Sequence, residues 1–122
     1  MRRSAIINGI QWVQQHAKAK NISTAVISMS LGGPTSPSLN DAVEAAVADG
    51  VVVVVAAGND NGDACQVSPA SAPNAITVGA STETDGKASF SNWGTCLDVW
   101  VRRAVKAFVA LRVSCLGDGP TT

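Results

Sequence analysis

Asn59 is the residue best placed for chemistry. It closes the stretch Val51–Asn59, five valines followed by Ala56, Ala57 and Gly58. Valine is stiff at χ1 and favours an extended chain, and an unbroken run reads as a strand buried on both faces. Open α/β sheets take their ligands outside the carboxyl ends of parallel strands, which is where Asn59 stands. Asp60-Asn61-Gly62-Asp63 comes next as a loop whose two acids read as a solvated spot. Gly32-Gly33 ends another apolar stretch and means either a plain turn or close approach to the backbone. His16, the only histidine, sits among polar residues at helical spacing and reads as a solvated helix residue. Cys65, Cys96 and Cys115 make an odd count, so at least one has no partner within the chain.

The elements that must position these groups emerge from periodicity. Ile6, Ile10, Val13 and Ala17 form one stripe and predict a helix over Ser4–Lys20. Ala25–Ser30 reads as a strand. Ser38–Asp49 reads as a second helix, capped by Ser38 with Asp41 three residues on, lined by Leu39, Val43, Ala46 and Val47, and ended by Gly50. Val51–Ala57 is the next strand, Gly58–Asn74 a long polar loop, and Ala75–Ala80 a third strand. Asp85-Gly86 marks a turn, and Leu97-Asp98-Val99 a short extended piece. From Trp100 onward Val101, Val105, Phe108 and Leu111 have helical spacing beside Arg102, Arg103, Lys106 and Arg112. That tail predicts a basic amphipathic helix with a solvated face, ending in a polar stretch over Leu116–Thr122. Strand, helix, strand, long loop, strand is an α/β pattern. If its first two strands are parallel neighbours, Gly32-Gly33 and Gly58-Asn59 share one edge and form a cleft.

Composition removes several classes of function. The 122 residues suffice for one small core, and nine basic residues offset nine acidic ones. Nothing global points to nucleic acid or an anionic membrane. No apolar run approaches the roughly 20 residues a bilayer span needs. Met1-Arg2-Arg3 has the charge of a signal peptide's start. However, Asn8, Gly9 and Gln11 break up Ala5–Val13, so no apolar core forms and no signal peptide is expected. A nucleotide site in the cleft is disfavoured, because no strand leads into a GxGxxG or P-loop lysine motif.

Five motifs occur in order: SMSLGG at Ser28–Gly33, VAAGND at Val55–Asp60, SPAS-P at Ser68–Pro73, TVGAS at Thr77–Ser81 and SFSNWG at Ser89–Gly94. Together they resemble the subtilisin-like serine peptidases, within them the proteinase K branch, over about four-fifths of the chain. The resemblance implies a partial subtilisin-like three-layer α/β fold, a parallel sheet flanked by helices, over residues 1–100. It makes Asn59 the oxyanion-hole asparagine, whose side-chain N–H faces the oxygen that turns negative when a peptide carbonyl is attacked. Ser30, Leu31, Gly32 and Gly33 become the strand edge on which an extended peptide or protein substrate lies. Ala56, Ala57 and Gly58 become a wall of the pocket for the residue before the cleaved bond. Asp98, with the carbonyls of Pro73 and Ala75, becomes a structural Ca²⁺ site. Cys65 and Cys96 match a disulfide of aqualysin-like members, which implies an oxidising, extracellular setting for the parent enzyme; two free buried cysteines are the competing reading.

The departures carry equal weight. No GTS occurs anywhere, so the family's nucleophile motif is missing; His16 is followed by Ala17-Lys18 rather than the family's HGTH pattern; and the family's aspartate lies earlier still. None of the Ser-His-Asp triad is present. After Val99 the pattern is lost, which suggests a frameshift or truncation, with residues 101–122 as a non-family tail. The expectation is a peptidase fragment that is inactive alone, a monomer or an aggregation-prone piece with uncovered sheet faces. A nonenzymatic peptide-binding or fragment-complementing module is the alternative.

Overall fold

The computed structural model describes residues 2–102 and 110–116, the latter as backbone. Met1, Arg103, Val105, Lys106, Phe108 and the end of the polar tail lie outside the described residues.

Helix α1 spans Arg3–Ala19 and buries Ile6, Ile10, Val13 and Ala17, the stripe its sequence predicts. Strand β1, Thr24–Ser30, is next, then the two-residue strand β2, Gly33–Pro34. Helix α2 spans Pro37–Ala48 and buries Leu39, Val43 and Ala46. Its cap is Ser36, not the expected Ser38: the Ser36 side chain accepts from the Leu39 N–H at 3.4 Å. Pro37 explains the earlier start. At the first helical position its fixed φ is already helical and its missing N–H costs nothing. Gly50, at φ +89°, turns the chain out of α2 into strand β3, Val51–Ala56.

A 3₁₀ turn at Ala64–Gln66 and strand β4, Val67–Ser68, lie within the long loop. Strands β5, Ile76–Ser81, β6, Val99–Arg102, and β7, Ala110–Leu116, complete the order. The main sheet runs β6-β5-β3-β1-β7. The first four strands pair in parallel; β7 lies antiparallel to β1. β1 and β3 align directly, Ala25 with Val51 through Met29 with Val55, so their carboxyl ends share one edge. β2 and β4 form a separate antiparallel pair, Gly33 with Ser68 and Pro34 with Val67.

One core holds the sheet to both helices. Ile10, Val13, Leu39, Val43 and Ala46 pack with Ile27, Met29, Val51, Val53 and Val55 in a single buried cluster. The valine run is therefore buried on one face, not two. Val51, Val53 and Val55 are buried, while Val52 is 41% exposed and Val54 half-buried. Both described helices pack on the same face, so no helix among the described residues covers the alternate side chains. The tail also departs from expectation. Val101 and Arg102 lie in β6 and Leu111 and Arg112 in β7, extended rather than helical. Each of these segments adds to an edge strand whose backbone would otherwise lack a partner, β6 to β5 and β7 to β1, and ladder bonds outweigh a weak helical spacing.

Candidate functional site

Asn59 lies just past β3 at its carboxyl end and is exposed. The backbone on either side of it is tied down. The Ala57 N–H donates to the Val78 carbonyl at 2.9 Å, continuing the ladder one residue past β3. The other ties come from one side chain, Asn92, only 1% exposed. Its Nδ2 donates to the Ala57 carbonyl at 2.9 Å, and its Oδ1 accepts from the N–H groups of Asp60 at 3.0 Å and Gly62 at 2.9 Å. The Asn92 N–H also donates to the Gly58 carbonyl at 2.9 Å. Asn59 thus sits on a loop pinned before and after it. Its own carboxamide makes no hydrogen bond among the described residues, leaving the N–H groups available to a ligand.

Gly58 is required by this clamp. Its φ is +107°, a region L side chains rarely adopt, and a Cβ there would run into the Asn92 carboxamide. The loop carrying Asn92 is itself braced. The Lys87 ammonium donates to Asn61 Oδ1 at 2.9 Å and to the carbonyls of Ala88 and Ser91 at 3.1 and 3.2 Å. Trp93 Nε1 donates to the Asn61 carbonyl at 3.1 Å.

Two adjoining hollows open beside Asn59. The larger, about 580 Å³, is lined by Ser30, Leu31, Gly32, Gly33, Ala56, Gly58 and Asn59, with Gln66 and Val67 opposite. The smaller, about 200 Å³, is lined by Ser28, Ser30, Ala56, Ala57, Gly58 and Asn59, with Val78, Phe90 and Val101 across it. Every residue expected to bind substrate therefore lies on one connected cleft. The edge it offers is short. Ser30 is paired with Ala110 of β7 and Gly33 with Ser68 of β4, so Leu31 and Gly32 are the stretch without a strand partner. Apart from its chain neighbours, no atom of the described residues lies within 4 Å of where a Cβ on Gly33 would stand, so none of them closes the cleft at that point.

The cleft provides an amide donor, backbone groups, the hydroxyls of Ser28 and Ser30, and an apolar wall. His16 lies on α1, its ring stacked on Trp12 at 4.6 Å between centroids. Cys65 and Cys96 are joined by a disulfide with Cα atoms 5.4 Å apart. Asp63, read from sequence as a solvated acid, instead accepts from the Cys65 N–H at 2.9 Å and caps the 3₁₀ turn next to the bridge.

Asp98 is fixed against the start of β5. Its Oδ2 accepts from the Thr77 N–H at 2.7 Å, and its own N–H donates to the Thr77 carbonyl at 2.9 Å. This leaves Oδ1 without a hydrogen-bond partner among the described residues, on a carboxylate whose strand contact is two residues from Ala75. A carboxylate joined by backbone carbonyls would make an all-oxygen donor set, the type a hard cation takes.

Asn92 and Lys87 are the residues that sequence reasoning missed. Asn92 reads as one small polar residue between Phe90 and Trp93, and its partners lie 30 to 35 positions away. The one local hint is the glycine at 58, which needs something close against it.

Residues 1–111 match the Subtilase family, Peptidase S8. Over 97 residues the chain is 53% identical to subtilisin-like protease 7 of Trichophyton equinum, a match covering 80% of this chain and 24% of the relative. It is 56% identical over 97 residues to an extracellular serine proteinase of a Thermus species, covering 80% of this chain and 23% of that one. Among solved structures, a cold adapted subtilisin-like serine proteinase superposes with a TM-score of 0.79 at 38% identity, over 93% of this chain and 42% of its own. The chain spans about a quarter of the length of the curated relatives it matches.

Proposed function

The chain belongs to the subtilase family, and from that premise we propose that it is a segment of a subtilisin-like serine endopeptidase that stabilises the oxyanion and seats the substrate but does not itself cleave. The supporting observation is the cleft that gathers Leu31, Gly32, Gly58 and the unpaired carboxamide of Asn59 at the carboxyl ends of β1 and β3. An extended peptide lying along Leu31-Gly32 would present its carbonyl to Asn59. The Asn59 N–H would strengthen its bond as that oxygen gains charge, lowering the barrier more than it stabilises the ground state. Ala56 and Ala57 leave room for an apolar side chain beside it. The chain has no GTS motif, and its one histidine is stacked on Trp12. Among the described residues no serine is hydrogen-bonded to that histidine, and on this reading the 122-residue chain is inactive alone.

Ca²⁺ belongs to the same reading, held by Asp98 with the carbonyls of Pro73 and Ala75, where it would stiffen the entry to β5. The Cys65–Cys96 disulfide suits an oxidising, extracellular setting, as does the relative described as extracellular.

Two measurements test the proposal. The chain is incubated with a fluorophosphonate probe and a chromogenic peptide; neither labelling nor turnover is expected, and labelling of any serine would overturn inactivity. Residues 1–100 are then exchanged for the matching segment of the Thermus relative. The chimera is expected to cleave peptides, and Asn59→Ala in it to lose about 10²–10³ in kcat, a size carried over from the equivalent asparagine of a subtilisin rather than calculated from this geometry. An active chimera indifferent to Asn59→Ala would remove the assigned role.

A further inference from the structure

β6 is an edge strand that, together with Asp98 just before it, has a sequence complementary to itself. One side of it pairs with β5; among the described residues nothing pairs with the other. Its side chains are unusually open for an apolar strand: Val99, Trp100 and Val101 are 42%, 44% and 50% exposed. Side chains alternate, so Asp98, Trp100 and Arg102 share one face and Val99 and Val101 the other. The Trp100 ring lies over Gly79, where a Cβ would strike it, which fixes its face.

We propose that this edge binds a second copy of the chain, β6 against β6 antiparallel about a twofold axis through Trp100. In that register Trp100 meets the partner's Trp100. Val99 meets the partner's Val101 on one face, and Asp98 meets the partner's Arg102 on the other, each pair occurring twice. Apolar meets apolar and acid meets base at every position, and the backbone groups of both free edges are paired in one continuous sheet. A shift by one residue would set Val99 against the partner's Arg102 in one direction and Asp98 against the partner's Val101 in the other, so each slipped register opposes a charge with an apolar side chain. Arg102 can make this pairing, because its ion pair with Asp85 is 3.7 Å long and both groups are largely solvated. Asp98 is already held in place by Thr77.

Sedimentation velocity over a concentration series tests this, with a chelator present so that no cation competes for Asp98. A reversible monomer–dimer equilibrium is expected. Arg102→Glu, at an exposed site, sets two like-charged pairs across the axis and is expected to weaken the dimer on the order of tenfold. Register is read separately by thiol cross-linking in a Cys115→Ser background. A mixture of Val99→Cys and Val101→Cys chains is expected to link, and each variant alone to link far less. A chain monomeric at every concentration, an open polymer, an Arg102→Glu dimer of unchanged strength, or equal linking of each cysteine to itself would each overturn the proposal.

Discussion

Asn92 is the side chain on which the local geometry of the cleft turns. It satisfies one carbonyl and two N–H groups of the segment that carries Asn59. Asn92→Ala would leave one buried carbonyl and two part-buried N–H groups without that partner, at about 1–3 kcal/mol for each that water does not reach. The expected result is a loss of about 2–4 kcal/mol in urea unfolding, partly relieved by water. Faster hydrogen exchange at the Asp60 and Gly62 amides is expected with it. Asn92→Asp tests the direction of the bonds: a carboxylate still accepts from both amides but cannot donate to Ala57, and it is buried with a charge, so it should not restore stability. At this scale the sequence was half readable. Asn59 announces itself because a strand end is a local event. Asn92 does not, because its importance lies in three backbone groups far away along the chain.

At the scale of elements, α1 and the end of α2 are tied at Asp49. Lys18 Nζ lies 2.9 Å from Asp49 Oδ2, and Gln14 Nε2 donates to the same oxygen at 2.8 Å. The Lys18 bond first, then that of Gln14, holds the Asp49 carboxyl below the usual carboxylate range. The folded state therefore favours the ionised form. Its contribution is complete above the ordinary carboxylate pKa, about 4, and is lost as the pH falls through the lowered value. Lys18→Met should flatten the acid limb of a stability-against-pH curve by lowering the neutral plateau, while leaving the most acidic end unchanged. The effect should be small, because the pair is solvated. The helices and strands were legible where their period was, as in α1. The valine run gave no alternation to read, so its open face appeared only once both helices were seen on the other. The tail misled because four apolar residues at helical spacing say nothing about free sheet edges nearby.

For the molecule as a whole, the disulfide joins two segments that backbone bonds already hold side by side, Ala64 to Trp93 and Trp93 to Gly62. Cys65 and Cys96 are 31 positions apart, and the small cluster beside them, Ala57, Ala64 and Ala70 with Leu97, is modest. Closing a loop of that length stabilises by about 3–4 kcal/mol in the chain-entropy model. Unfolding by urea with and without a reductant should differ by that amount, and no difference would mean that the unfolded chain is already compact there. The family was legible because its five motifs are short contiguous stretches, four of them in loops or at strand ends and one, TVGAS, forming the body of β5. The edge pairing of β6 was not, because it depends on which strand the topology leaves outermost.

The segment between the two cysteines contains an exposed turn at residues 83–87. A peptidase that severed the chain after Lys87 would cut the polypeptide without dividing the particle. Both pieces would travel together through a sizing column and could separate only once the sulfur link was opened, so a preparation clipped in this way would pass for intact wherever size alone is read without a reductant.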